Sequence, residues 1–306
     1  MVFERGERYL KDSLFFSWLH LFRFKQWVKN VLVFLILLFS IQFVGYSLSR
    51  DLIVPSISKL FIIFCAFNLL CSGIYIINDL FDQERDRFHP EKMFRPIHTG
   101  DISPKHASYM SIILILAGLI IGFTVSYSTG KVLFLYFIIS FLYSAGLKDI
   151  AILDIVIVST GYGLRVAAGQ SVLNFSIHFE IYLFTILVAV FVSVAKRRAE
   201  IIAIGQKANL HRRSLGFYSI KGIDKSILIL VPAICFTYIL YLLKVPNFNI
   251  YIPFSYFIFL FALIRYLYLT YSSSIVGSPE EVVYKDFALT GLVSMWIIFV
   301  LISGIY

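Results

Sequence analysis

An all-α, polytopic integral membrane protein is the fold class this sequence predicts, and three observations carry it. Hydrophobic residues fill 59% of the 306 positions and charged residues only 15%. Mean hydropathy is +0.84, a balance outside that of ordinary water-soluble domains. Apolar runs of about 20 residues, the length that crosses about 30 Å of hydrocarbon, recur from end to end. They lack the period-2 alternation of barrel strands, and lipid offers no partner to an open backbone, so each run is expected to be a helix.

Nine such runs are expected, near residues 28–48, 58–78, 107–127, 131–147, 151–169, 179–195, 226–243, 250–271 and 287–305. The longest connections, 79–106 and 196–225, leave no room for a large soluble domain, which predicts one integral domain over residues 1–306. Ahead of the first run, residues 1–27 read as an interfacial amphipathic helix. Leu10, Leu14, Trp18, Leu21 and Phe22 recur at helical spacing, opposed by Lys11, Ser13, Ser17 and Arg23. It anchors the chain at the inner leaflet or shapes a lateral entrance for lipid. The first run is too long for a signal-peptide core and no small-residue cleavage pattern follows, so it is expected to stay in the mature protein. Gly118 and Gly122 form a small-xxx-small pair for close helix approach. Cys65, Cys71 and Cys235 fall inside runs without zinc spacing and read as small packing residues.

Lysine and arginine collect in alternate connections. Arg85, Arg87, Lys92, Arg95 and Lys105 follow the second run, and Lys196, Arg197, Arg198, Lys207, Arg212, Arg213, Lys221 and Lys225 follow the sixth. By the positive-inside rule these connections and the N-terminus face the cytoplasm, across a bacterial-type inner membrane. The net charge of +9 sits in short juxtamembrane loops with no reader fold, so anionic lipid and phosphorylated substrates are the expected partners and nucleic acid is not.

The most informative stretch runs from Asn78 to Asp86 and sets Asn78, Asp79, Asp82 and Asp86 at the mouth of the second run. An aspartate costs up to about 2.5–3.5 kcal/mol at mid-membrane and less near the surface, so acid here implies a cation. On a helix Asn78, Asp82 and Asp86 follow the i, i+4, i+8 row, with Asp79 aside. Hard oxygen donors in this number suit Mg²⁺ shared with substrate phosphates. Arg87, His89, Lys92 and Arg95 follow as a cation-rich turn bounded by Pro90 and Pro96, suited to phosphate oxygens.

Other candidates lie on the same rim. Lys25 and Lys29 stand at i, i+4 and can meet one anion, beside the amides of Gln26 and Asn30. Lys148 follows Tyr143 in a tight turn. Asp154 and Arg165 lie within the fifth run and must find partners inside the bundle, either structural or in a substrate. Lys196, Arg197 and Arg198 with Glu200 form either an anion clamp or a positive-inside cluster. The pattern contains no Ser-His-Asp order, nucleotide glycine loop or metal-spaced His/Cys cluster.

Together the nine runs and Asn78-Asp79-x-x-Asp82-x-x-x-Asp86 resemble the UbiA superfamily of intramembrane prenyltransferases. Five further segments are similar to its branch that acts on decaprenyl phosphate with a phosphoribosyl donor. They are Lys25 to Asn30, Asp86 to Ile97, Tyr143 to Lys148, Leu164 to Gly169 and Lys196 to Glu200. Where aromatic prenyltransferases of the superfamily carry a second acidic motif, this chain reads Lys196-Arg197-Arg198-Ala199-Glu200. The resemblance implies a UbiA-like bundle and an enzyme that moves the 5-phosphoribosyl group from 5-phosphoribosyl 1-diphosphate to a polyprenyl phosphate, in cell-envelope glycolipid synthesis. It implies Mg²⁺ on Asn78, Asp82 and Asp86, assisted by Asp79. It also implies phosphate contacts from Lys25, Lys29, Arg87, Lys92, Arg95, Lys148, Lys196, Arg197 and Arg198. Asn30, Tyr143, Asp154 and Glu200 complete the implied substrate-binding set. The rival expectations are prenyl transfer to an aromatic acceptor and a non-enzymatic lipid-binding or transport protein.

Overall fold

The computed structural model describes residues 14–44, 46–86, 92–173, 178–204, 213–272, 282 and 285–305, and every regular element among them is helical. The α-helices are α1 (Leu14–Phe22), α2 (Leu35–Val44), α3 (Tyr46–Phe81), α4 (Gln83–Asp86), α5 (Pro96–Thr99), α6 (Pro104–Val125), α7 (Tyr127–Ala145), α8 (Leu153–Gln170), α9 (Phe179–Ile204), α10 (Ile220–Leu242), α11 (Tyr251–Ser272) and α12 (Phe287–Ile305). Between α1 and α2 the chain runs as an 11-residue 3₁₀ segment, Phe24–Phe34. Such runs seldom exceed 3–4 residues.

Eight helices among the described residues are long and apolar enough to cross a membrane. The segment expected as the fifth of nine runs is also helical, α8, but is not one of the eight. Its 18 residues carry Asp154, Arg165 and Gln170. The connection expected at 49–57 is helical instead: α2 ends at Val44, and α3 runs unbroken for 36 residues from Tyr46 with Pro55 inside it. Both long connections are partly helical, since α9 carries Lys196 to Glu200 onward to Ile204 and α4 and α5 occupy part of 79–106.

The chain forms two compact units. One combines the residues up to Asn30 with Ile62–Lys148. In it, α6 and α7 make a hairpin turned at Ser126, whose hydroxyl accepts from the Thr129 amide at 3.0 Å. Gly118 lets α6 press on α3, where a Cβ would stand 2.7 Å from the Ala66 carbonyl oxygen. Leu21 of α1 packs with Ile76, Ile97, Ile102 and Ala107, and Trp18 and Phe22 flank them. The amphipathic helix is therefore docked on protein through these residues, while Leu14 is 63% exposed. Leu10 lies outside the described residues.

The second unit combines Val31–Phe61 with the chain from Asp149 onward. Its core is aromatic: Phe39, Phe184, Phe191, Tyr238, Tyr241, Phe259 and Tyr266 pack together, with Trp296 against them. Each such ring buries about 150–250 Å², a large share of the packing energy. Two of the hydroxyls are held inside the core: Tyr241 donates to Gln42, which donates to Ser303 at 2.6 Å, and Tyr238 accepts from Trp296 Nε1 at 2.9 Å. Gly169 of α8 meets the Val33 carbonyl so closely that a Cβ would collide.

Candidate functional site

In the first unit the acidic motif closes α3. A helix C-terminus already carries partial negative charge, and no basic residue occupies the last turn of α3, so Asp79 adds acid where the backbone disfavours it. The compensation arrives from three other segments. Lys148, in the 3₁₀ turn Leu147–Asp149, lies 2.5 Å from Asp82 Oδ1 and 3.2 Å from Asn78 Oδ1. Arg95 Nη1 bridges Asp79 Oδ1 at 2.8 Å and Asp86 Oδ2 at 2.5 Å. Arg23 pairs with Asp79 from beyond α1 and lies over the Tyr75 ring at 5.0 Å.

This pairing corrects the expected stripe. The backbone continues helically, with Asp82 N donating to Asn78 O and Asp86 N to Asp82 O. At about 100° per residue, an i+7 neighbour returns within about 20° of its partner while i+8 drifts by about 80°. Asp86 therefore shares a cation with Asp79, and Asn78 shares one with Asp82. No group of three or more His, Cys, Asp or Glu that could hold a metal ion occurs among the described residues. The donors nevertheless fit a hard cation. Two oxygens converge on a single ammonium in one pair and on a single guanidinium nitrogen in the other, so each pair already aims at a point of positive charge.

Burial raises the stakes, since Asp79 is 1% and Asp86 4% exposed. Desolvation holds the Arg95 guanidinium below its ordinary pKa, with Arg23 adding to the effect and the aspartates opposing it. Burial likewise pushes His20 of α1 down, helped by Arg23 and Arg95. Arg23 occupies the left-handed region at φ 54°, a conformation that costs a non-glycine residue about 1–2 kcal/mol.

The lysine pair Lys25 and Lys29 is not brought together as expected. At three residues per 3₁₀ turn, i+4 points about a third of a turn away while i+3 eclipses. Lys29 Nζ accordingly donates to Gln26 Oε1 at 2.5 Å, and Lys25 is exposed. Asn30 is 1% exposed and donates to Asn68 Oδ1 at 2.6 Å, within the helix packing. Cys71, read as an apolar filler, joins this polar group with its sulfur 3.3 Å from Tyr136 Oη. Tyr143 is partly buried in the last turn of α7. Arg87, His89, Lys207, His211 and Arg212 lie outside the described residues, as does the side chain of Lys92.

The second unit holds the basic stretch on α9. Arg197 Nε lies 2.9 Å from Asp154 Oδ2, and its Nη1 pairs with Glu200. Asp154 is 0% exposed and also accepts from Tyr218 Oη at 2.5 Å and from Ser214 at 3.4 Å. Tyr218 in turn accepts from the amide of Ile152, a residue at φ 70°. Burial, followed by the hydrogen bond to Asp154, pushes the Tyr218 hydroxyl up to about 12. Arg198 pairs with Asp224 at 2.9 Å, donates to the Thr270 carbonyl and lies 4.2 Å above the Tyr271 ring. Both arginines expected to clamp anions thus carry protein partners. Arg165 donates to the Gly161 carbonyl of its own helix at 2.8 Å. Sequence reasoning gave no site role to Arg23, Ser214, Tyr218 or Asp224, because partners distant in sequence leave no periodic signal.

Fold and site define a multi-pass helical membrane protein with an acidic cluster, balanced by cations, at the end of a membrane helix. The chain belongs to the UbiA prenyltransferase family, which residues 37–279 match. It is 30% identical over 290 residues to the decaprenyl-phosphate phosphoribosyltransferase of Mycolicibacterium smegmatis, covering 89% of this chain and 87% of that one. The decaprenyl-phosphate phosphoribosyltransferase of Corynebacterium glutamicum is 28% identical over 288 residues, covering 92% and 84%. Among solved structures, a UbiA homolog from Archaeoglobus fulgidus bound to GPP and Mg²⁺ shares the fold, with a TM-score of 0.71 at 18% identity over 94% of this chain and 98% of that one.

Proposed function

We propose that the protein transfers the 5-phosphoribosyl group of 5-phosphoribosyl 1-diphosphate to a polyprenyl phosphate and releases diphosphate. The observation that carries this reading is an asymmetry of charge. Asn78, Asp79, Asp82 and Asp86 form an acidic cluster, whereas the α9 stretch that would hold a second one is Lys196 to Glu200. The names of the relatives that match most of the chain support the same assignment. One acidic set suits one diphosphate, here carried by the sugar, and the lipid brings a monophosphate.

Asn78, Asp79, Asp82 and Asp86 would hold Mg²⁺, which when bound neutralises charge on the departing diphosphate. Lys148, Arg95 and Arg23 supply positive charge beside it, and each can exchange a carboxylate partner for a phosphate oxygen. The lipid phosphate is anionic already, so an oxygen of it attacks C1 without an enzyme nucleophile or strong base. The C1–O bond to diphosphate breaks as the new C1–O bond forms, and the anomeric centre inverts. Two unit anions 4 Å apart repel by about 4 kcal/mol at an effective dielectric of 20. Positioning and charge neutralisation are therefore what the protein must provide. Lys25, Lys29 and Lys196 are the candidate contacts to the lipid and sugar phosphates. The basic connections set the site and the N-terminus on the cytoplasmic face of an inner membrane.

The test is reconstitution in nanodiscs with Mg²⁺, polyprenyl phosphate and labelled 5-phosphoribosyl 1-diphosphate, followed by extraction of a labelled lipid. EDTA removes the product and D82N lowers turnover by at least about a hundredfold while the variant remains monodisperse. Full turnover by D82N overturns the metal assignment. Product formed instead from prenyl diphosphate and an aromatic acid overturns the reaction.

A further inference from the structure

His98 stands on α5, two residues past Pro96, and its side chain is only 2% exposed. Neither Nδ1 nor Nε2 has a hydrogen-bond partner among the described residues. A buried polar group left so costs about 1–3 kcal/mol. Nε2 points at the acidic cluster, 3.9 Å from Asp86 Oδ2, which is too far for a hydrogen bond.

We propose that the His98 imidazole is a nitrogen donor to a divalent cation held at Asp86. The inference rests on the reading that the aspartates bind metal, and it adds a ligand of different chemistry. Two donors about 2.1 Å from one ion lie about 3.0 Å apart at right angles and about 4.2 Å apart when opposed. The observed 3.9 Å lies inside that range. An ion there takes the place of the Arg95 contact to Asp86 Oδ2. The backbone holds the ring in position, since His98 N donates to Arg95 O at 2.8 Å and the adjacent Ile97 is buried against Leu21 and Ile76. One imidazole among oxygen donors shifts preference from Mg²⁺ toward Mn²⁺, Co²⁺ and Zn²⁺.

Mn²⁺ titration of the full chain, untagged and in nanodiscs, read by electron paramagnetic resonance and electron spin echo envelope modulation, tests this directly. Wild-type protein should show bound Mn²⁺ with ¹⁴N modulation from an imidazole. H98Q and H98F should lose that modulation and weaken Mn²⁺ binding by about tenfold. Bound Mn²⁺ that is lost in D86N yet shows no nitrogen coupling in the wild type overturns the histidine ligand and leaves the acidic site standing. Modulation that persists in both H98Q and H98F likewise overturns it. No Mn²⁺ binding by the wild type sinks both the ligand and the metal reading beneath it.

Discussion

Asp82 and Asp154 each face a cation, yet the settings differ. Asp82 meets Lys148, 66 residues away, with the two side chains 14% and 10% exposed. Arg95 and Arg23, which hold Asp79, are 18% and 23% exposed. Asp154 has no exposure and spends its oxygens on Arg197, Tyr218 and Ser214, within its own unit. Half-buried Arg23 and Arg95 keep some contact with water and can release a carboxylate to an incoming ion at lower cost. A carboxylate with several buried donors cannot, because every partner it loses becomes an unpaired polar group. The first arrangement suits a site and the second suits a scaffold, although the residue types are the same.

Five substitutions sharpen that contrast. The largest effect on stability is expected for D154A, about 3–5 kcal/mol, since Arg197 is left buried with one counter-charge fewer. D82A is expected to cost about 2 kcal/mol, less than D154A because the buried Lys148 keeps the Asn78 oxygen as a partner. Thermal unfolding of both variants in the same detergent makes the comparison, and equal shifts would erase it. Y218F comes next, at about 1–3 kcal/mol, because it removes the hydroxyl that serves both Asp154 and the Ile152 amide. It should also alter alkaline unfolding. The folded-state hydroxyl is raised to about 12, so its share of stability is intact below the ordinary value near 10 and fades as pH climbs toward 12. Unfolding midpoints measured between those limits should fall more steeply for wild type than for Y218F. The smallest effect is expected for K25A. Activity should drop less than about threefold there, against about tenfold for K29A, whose ammonium is fixed by Gln26. A larger loss in K25A would restore the paired-lysine reading.

Hydropathy made the fold legible, because a membrane span is a property of composition that no tertiary contact needs to complete. α8 shows the limit of that rule. Its buried Asp154 and Arg165 lower its hydropathy, yet the helix forms with both satisfied internally. The acidic cluster was legible for a similar reason, as aspartates are costly beside hydrocarbon. Its pairing is not, because the i, i+4, i+8 row stands out in the sequence while the i+7 relation that joins Asp79 to Asp86 shows only once Arg95 is in place. α geometry would put Lys25 and Lys29 on one face, whereas the chain adopts 3₁₀ there. Arg23 and Tyr218 act through partners 56 and 64 residues away, distances that leave no trace in a single sequence.

The 3₁₀ segment Phe24–Phe34 also sets a length. At about 2.0 Å of rise per residue its 11 residues reach about 22 Å, where an α-helix would reach about 16 Å. A span of only 20 residues, Phe24–Phe43, thereby stretches as far as a longer α-helical one. Rewinding that stretch to α would draw Phe24 about 5 Å closer to Phe34 and swing Lys29 out of register with Gln26. Helix pitch here works as a ruler, fixing how far Lys25 and Lys29 stand along the chain from the start of α2.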